Sequence, residues 1–339
     1  MRRVVVVVAG AVVTVGGAGI APASAAVQAT RVSLWTNPAP ALVGDEVVLV
    51  GKLERRAGTS WTGLGAQPVR LAVTDAQGRE RAYLGTVISN ADGTYTRTVR
   101  APLSGYWSAR YQPASGDGYG ASATHTAWYA LHYQTAITGY MAGPRVAGLG
   151  TTITVQGRVT RRGATATGPL AGATVGLYWA KDGKTWHWTA NTTTNGSGGF
   201  VFRPRVMADG YWATVLPAAS DNLSATSGVA YVDGRFRTRV GLSAKPSPVR
   251  RGSTLTLSGT LQQVDATGKA HPLAGRWVRI YIRTSGSKVR LLGTVKTGKA
   301  GTYAFKYRPL TSARFETYWP GDENFLRSVT SWRAVKVRR

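Results

Sequence analysis

Enzymatic chemistry needs titratable groups gathered in one place, and this 339-residue chain supplies few of them. Cysteine is absent, which removes thiolate nucleophiles, thiolate metal sites and disulfides together. The four histidines, His125, His132, His187 and His271, stand in no metal-binding spacing such as H-E-x-x-H. No nucleophile elbow or phosphate loop occurs. Catalytic residues, cofactors and resident metals are not expected, and the chain reads as a non-enzyme. One acidic position recurs at a corner, as Asp117, Asp221 and Asp322. Calcium takes roughly six to eight oxygens, and one or two carboxylates per corner fall short of that. The preferred reading is that these carboxylates accept backbone N–H groups in a turn.

Binding chemistry has better candidates. Lys and Arg number 42 against 15 Asp and Glu, a formal net charge of +27. The excess is uneven: +3 over residues 27–133, +5 over 134–235 and +17 over 236–339. In the last stretch Arg276, Arg279 and Arg283 alternate with Trp277, Ile280 and Ile282, and Lys336, Arg338 and Arg339 follow at the tail. Strand alternation turns part of that charge to solvent, where it suits a polyanion: anionic wall polymers, acidic polysaccharide, phospholipid head groups or extracellular DNA. The competing reading is a merely solvated Arg-rich surface. Specific nucleic-acid recognition is not expected, because no helical or RNA-reading signature is present.

The 11 tryptophans divide into two groups. Trp107 and Trp212 each follow Gly-Tyr and are expected, with those tyrosines, in or against a core. Trp179, Trp186 and Trp188 cluster around a hairpin turn at Asp182-Gly183, with Lys181 and Lys184 alongside. If the segment is a strand, Trp186 and Trp188 share one face. Exposed, they form a platform for stacking sugar rings; buried, they are core, and the core reading is preferred.

The elements that position these residues are strands. Forty-two glycines, frequent Thr, Val and Trp, and alternation such as Val69-Arg70-Leu71-Ala72-Val73 favour strands and turns over helices. One pattern runs three times. It opens with a turn glycine and a strand ending in another glycine: Gly44 to Gly51, Gly150 to Gly157, Gly252 to Gly259. Next come a turn and an aromatic at Gly93-Thr94-Tyr95, Gly199-Phe200 and Gly301-Thr302-Tyr303. The acidic corner then precedes a closing strand. About seven short strands per copy match an immunoglobulin-like sandwich.

On these landmarks the chain resembles bacterial Ig-like tandem repeats of secreted actinobacterial proteins. The stretch from Pro169 to Phe202, with Ala-Gly-Ala-Thr-Val, Trp186 and Asn-Gly-Ser-Gly-Gly-Phe-Val-Phe, is similar to prealbumin-like or carboxypeptidase-regulatory-like sandwiches. The resemblance covers nearly all of the chain beyond its N-terminus and implies fold rather than function. Related repeats carry a tryptophan near Trp186, which supports a core role there.

The expected fold is therefore all-β: three tandem seven-stranded immunoglobulin-like β-sandwiches in an elongated array, over 26–133, 134–235 and 236–339. Linkers at 129–137 and 231–240 are neither Ser/Gly-rich nor proline-rich, so the copies are expected to be stiffly joined. Residues 1–25, with Arg2-Arg3, an apolar run and Ala23-Ser24-Ala25, read as a signal peptide. A membrane anchor is the alternative, and no second apolar run follows. The sequence thus predicts an extracellular structural or adhesive module with no membrane span once the signal is removed. Its expected partners are anionic wall polymers or polysaccharide, held through Arg276, Arg279 and Arg283, or in the alternative through Trp179, Trp186, Trp188 and Lys184. Oligomeric state is not readable.

Overall fold

Residues 27–339 are described by a computed structural model. The signal-peptide reading lies outside the described residues. Among the described residues every regular element is a strand, and the sheets form tandem β-sandwiches. By packing density the chain divides into two units. One comprises residues up to Ala136 with Val159–Leu170 and Pro217–Ala225; the other comprises Ile137–Arg158, Ala171–Leu216 and Thr226–Arg339.

The first unit contains two antiparallel sheets. Glu46–Ala57 is flanked by Thr30–Asn37 and Thr94–Arg100, with Ser60–Gly63 continuing its hairpin. The second sheet runs in the order Glu80–Ile88, Pro68–Thr74, Gly105–Tyr111, Ser122–Tyr129. Alternation builds the core between them: Val47, Leu49 and Leu53 from one sheet meet Val69, Leu71, Val73, Trp107 and Tyr111 from the other.

In the second unit one sheet runs Val146–Gly148, Ala230–Arg235, Gly210–Leu216, Thr174–Ala180, His187–Thr193, with the first pair parallel. Elsewhere in this unit, Gly199–Phe202 pairs with the segment from Val155 to Arg158. Three further sheets lie beyond residue 236, one of them the parallel pair Val249–Arg250 and Val337–Arg338. Leu255–Val264 pairs with Arg237–Val240, Ser243–Lys245, Ala270–Pro272 and Thr302–Tyr307. Trp277–Thr284 lies between Arg290–Lys296 and Ala313–Trp319, and the latter also pairs with Arg333–Val335. Leu255, Leu257, Leu261, Val278, Ile280 and Phe315 fill the core between these two sheets.

The recurring glycines have two different causes. Gly44, Gly150 and Gly252 have φ of +90°, +77° and +73°, a left-handed turn conformation that favours glycine. Gly51, Gly157 and Gly259 do not end their strands, which continue to Ala57, Arg162 and Val264. A Cβ at Gly51 would overlap the Tyr95 hydroxyl and Ser33 carbonyl, and one at Gly259 the Tyr303 hydroxyl and Gly241 carbonyl. At Gly157 the Phe200 ring takes the same space. The aromatic lies over the glycine, and Tyr95 and Tyr303 donate 2.5 Å hydrogen bonds to those carbonyls.

A second repeated device involves the acidic corner. Gln28, Tyr133 and Phe236 form parallel bridges with Tyr119, Asn222 and Phe325. Their N–H groups donate to the carbonyls of Gly118, Asp221 and Asn324, and their carbonyls accept from Gly120, Leu223 and Leu326. Two residues on, Thr30, Thr135 and Thr238 each donate Oγ1 to the Gly120, Leu223 and Leu326 carbonyls at 2.7 Å. The corner carboxylates are used within the chain: Asp117 accepts the Ala114 N–H, Asp322 the Asn324 N–H, and Asp221 the Asn222 side-chain amide.

Candidate functional site

The strand Trp277–Thr284 has strict alternation. Val278, Ile280 and Ile282 are buried, so Trp277, Arg279, Tyr281 and Arg283 face outward. Register extends this face onto the next strand, pairing Arg279 with Tyr318, Tyr281 with Glu316 and Arg283 with Arg314. On the other side Trp277 lies opposite Lys296 and Arg279 opposite Thr294. The Tyr281 and Tyr318 rings meet edge to face at 6.4 Å, and Trp277 is 59% exposed. The outcome is a solvent-facing sheet surface of guanidinium groups interleaved with aromatic rings.

Electrostatically this face is unbalanced. Among the described residues Arg279, Arg283 and Arg314 form no ion pair, whereas Arg70, Arg79 and Arg235 each have a carboxylate partner. Directly opposed like charges destabilise a strand pair, so the Arg283–Arg314 pair opposes folding unless an anion accompanies it. Glu316 is the acid on this surface. Burial pushes its carboxyl above the usual carboxylate range, with no arginine pairing to offset it.

Arg276 departs from its expected role. It precedes the strand, so alternation does not govern it. Its Nη1 lies 3.1 Å from the Asp322 carboxylate, and its guanidinium sits 5.4 Å from the Phe325 ring centroid. Arg276 braces the acidic corner, leaving Arg279 and Arg283 from the expected set on the exposed face. Sequence reasoning missed Arg314 and Tyr318, because only cross-strand register brings them there.

The tryptophan cluster also separates. Trp179 is half-buried; it pairs across strands with the buried Trp212 on one side and with His187 on the other. Its Nε1 lies where a Cβ on Gly210 would have to go. Trp188 pairs instead with Tyr178, on the opposite face of the sheet, and is 61% exposed. Its Nε1 donates to Asn191 Oδ1 at 3.0 Å, which fixes the ring's orientation. Trp186 is half-buried and precedes the strand His187–Thr193, so alternation within that strand does not tie it to Trp188. Lys184 is exposed, and its N–H donates to Asp182 in the turn. The three tryptophans therefore do not form one platform.

The tyrosines after Gly105 and Gly210 need a similar correction. Trp107 and Trp212 are buried, but alternation places Tyr106 and Tyr211 on the reverse, outward face, half-buried. Tyr106 packs against His125 and Trp128, and Tyr211 against Tyr231 at 5.0 Å. Outward aromatics thus recur on the Gly105–Tyr111, Gly210–Leu216 and Ala313–Trp319 sheets, while unpaired arginines cluster on the last.

No protein-family model matches the chain, and no curated protein matches it. Solved structures similar to it include the ectodomain fragment D1–D4 of ICAM-5, at 12% identity and a TM-score of 0.45, covering 91% of this chain and 77% of that one. Another is invasin, described as a bacterial integrin-binding protein, at 12% identity and a TM-score of 0.42, covering 91% of this chain and 60% of that one. A third is the Escherichia coli adhesin FdeC, at 16% identity and a TM-score of 0.31, covering 94% and 99%. With TM-scores below 0.5, these likenesses say nothing of what this chain binds.

Proposed function

We propose that this chain is a secreted, non-catalytic immunoglobulin-like repeat protein acting as an adhesive module outside the cell, with domains over 26–133, 134–235 and 236–339. The third domain holds anionic polymers of a wall or matrix through its exposed sheet face. The observation that carries this reading is the set of outward guanidinium groups, Arg279, Arg283 and Arg314, without carboxylate partners and beside exposed aromatic rings. Arginine gives directional hydrogen bonds to oxyanions, and flanking rings exclude water from the contact. Competition tests this. Soluble acidic polysaccharide is expected to release the bound protein from cell-wall particles, and an equal mass of neutral polysaccharide to leave it in place. Release by both alike would reject the reading.

A second reading is favoured by one observation: Trp188 is exposed, held by Asn191, and paired across strands with Tyr178. Such a fixed ring stacks on the apolar face of a sugar. Under this reading Trp188→Ala abolishes binding to neutral glycan at high salt. Retention of binding by that variant would reject it.

A further inference from the structure

At the end of the Arg283–Arg314 row the sheet forms a cleft of about 430 Å³. Its wall carries three cationic side chains, Arg283, Arg314 and Lys336, and no carboxylate. The cations come from three segments: the strand Trp277–Thr284, its neighbour Ala313–Trp319, and the residue that follows Arg333–Val335. Arg283 and Arg314 are direct cross-strand partners, and Arg314 is in turn opposite Ala334. Register therefore sets two guanidinium groups side by side at the mouth of a concavity. Two hydroxyls, of Ser285 and Ser312, also line it. Ser312 Oγ accepts the Val337 N–H at 3.0 Å, which leaves its own proton to donate elsewhere. Glu316 lies one cross-strand pair away, opposite Tyr281, and is not part of the lining.

We propose that this cleft is a binding site for a tetrahedral oxyanion, a phosphate or sulfate ester carried on an extracellular polymer. The occupant follows from charge complementarity. Two arginines, a lysine and a serine with a free hydroxyl proton line one cleft without a carboxylate among them, and three or four oxygens on one centre take donors from several directions at once. A planar carboxylate offers two oxygens in one plane and leaves part of the donor set unused. The site rests on the polyanion-adhesion reading and narrows it. The wider arginine face attracts any polyanion, and the cleft selects those with ester phosphate or sulfate.

The test uses the full chain as secreted, with poly(glycerol phosphate), a sulfated glycan and polygalacturonate as probes at fixed ionic strength. Two double variants remove equal charge: Arg283→Gln with Arg314→Gln in the cleft, and Arg81→Gln with Arg110→Gln on the Glu80–Ile88 and Gly105–Tyr111 strands. All four positions are solvent-exposed, and an unfolding midpoint no lower than that of the unsubstituted chain shows that each variant folds. The cleft variant, which removes two charged contacts, is expected to bind phosphate or sulfate polymer at least about tenfold more weakly, while the control loses about twofold. Polygalacturonate binding is expected to fall equally in both variants, and whichever of the other two probes loses more identifies the ester. Equal losses for every probe would overturn the cleft while leaving charge-driven adhesion standing. Failure of the unsubstituted chain to bind any of the three would overturn the adhesion reading itself.

Discussion

At the scale of single residues, two groups have consequences that run beyond their own positions. Gly259 is small because the Tyr303 ring and the Gly241 carbonyl occupy the space of a side chain. Gly259→Ala is expected to cost about 1–3 kcal/mol through overpacking, measured as a shift in urea-unfolding free energy. The hydroxyl of Tyr303 is enclosed, donating to Gly241 and in contact with Thr317, and burial pushes it up to about 12. Tyr95 is raised in the same way. An unfolded tyrosine ionises near 10, so these two bind more protons in the folded state above that pH. Their contribution is fully present below about pH 10 and is lost as pH rises toward 12. Ultraviolet titration should therefore show at least two of the 15 tyrosines ionising late, together with unfolding. Glu316 is the acid that opposes the arginine face, so Glu316→Gln is expected to raise polyanion affinity about two- to fivefold, measured by equilibrium binding.

At the scale of elements, the hydrogen bonds from Thr135 to Leu223 and from Thr238 to Leu326 hold the head of a first strand to an acidic corner. Each of Thr135→Val and Thr238→Val is expected to cost about 1 kcal/mol and to accelerate amide exchange at the bonded corner. This device was not legible in the sequence. The bridging residues, Gln28, Tyr133 and Phe236, are chemically unlike because the bridge uses only their backbones. The landmark glycines were legible as positions but not as causes. Gly51, Gly157 and Gly259 read as strand ends on propensity, whereas the aromatic opposite them makes glycine necessary in mid-strand. Alternation did make part of the site legible: it placed Arg279 and Arg283 outward and Ile280 and Ile282 inward. It had no purchase on Arg276, which lies outside the strand, or on Arg314, whose place depends on register with a strand distant in sequence. Trp179 and Trp188 looked like one cluster because proximity in sequence does not report that adjacent strands carry them to opposite faces.

For the whole molecule, charge is the property that distinguishes one part of the chain from another. Residues 236–339 carry a net +17 of the total +27, with the outward arginines of Trp277–Thr284 and its neighbour among them. Aromatic residues on the outward faces recur along the chain, so they belong to the common scaffold, and the excess of positive charge is what sets residues 236–339 apart. If adhesion runs through those groups, binding displaces counterions and must weaken with salt. The most direct measurement is the affinity of the full chain for purified anionic wall polymer across a sodium chloride series. The account predicts a linear fall of log affinity with log salt, and a shallower slope when Arg279, Arg283 and Arg314 are all changed to Gln. An affinity indifferent to salt, or a slope unchanged in that variant, would contradict it.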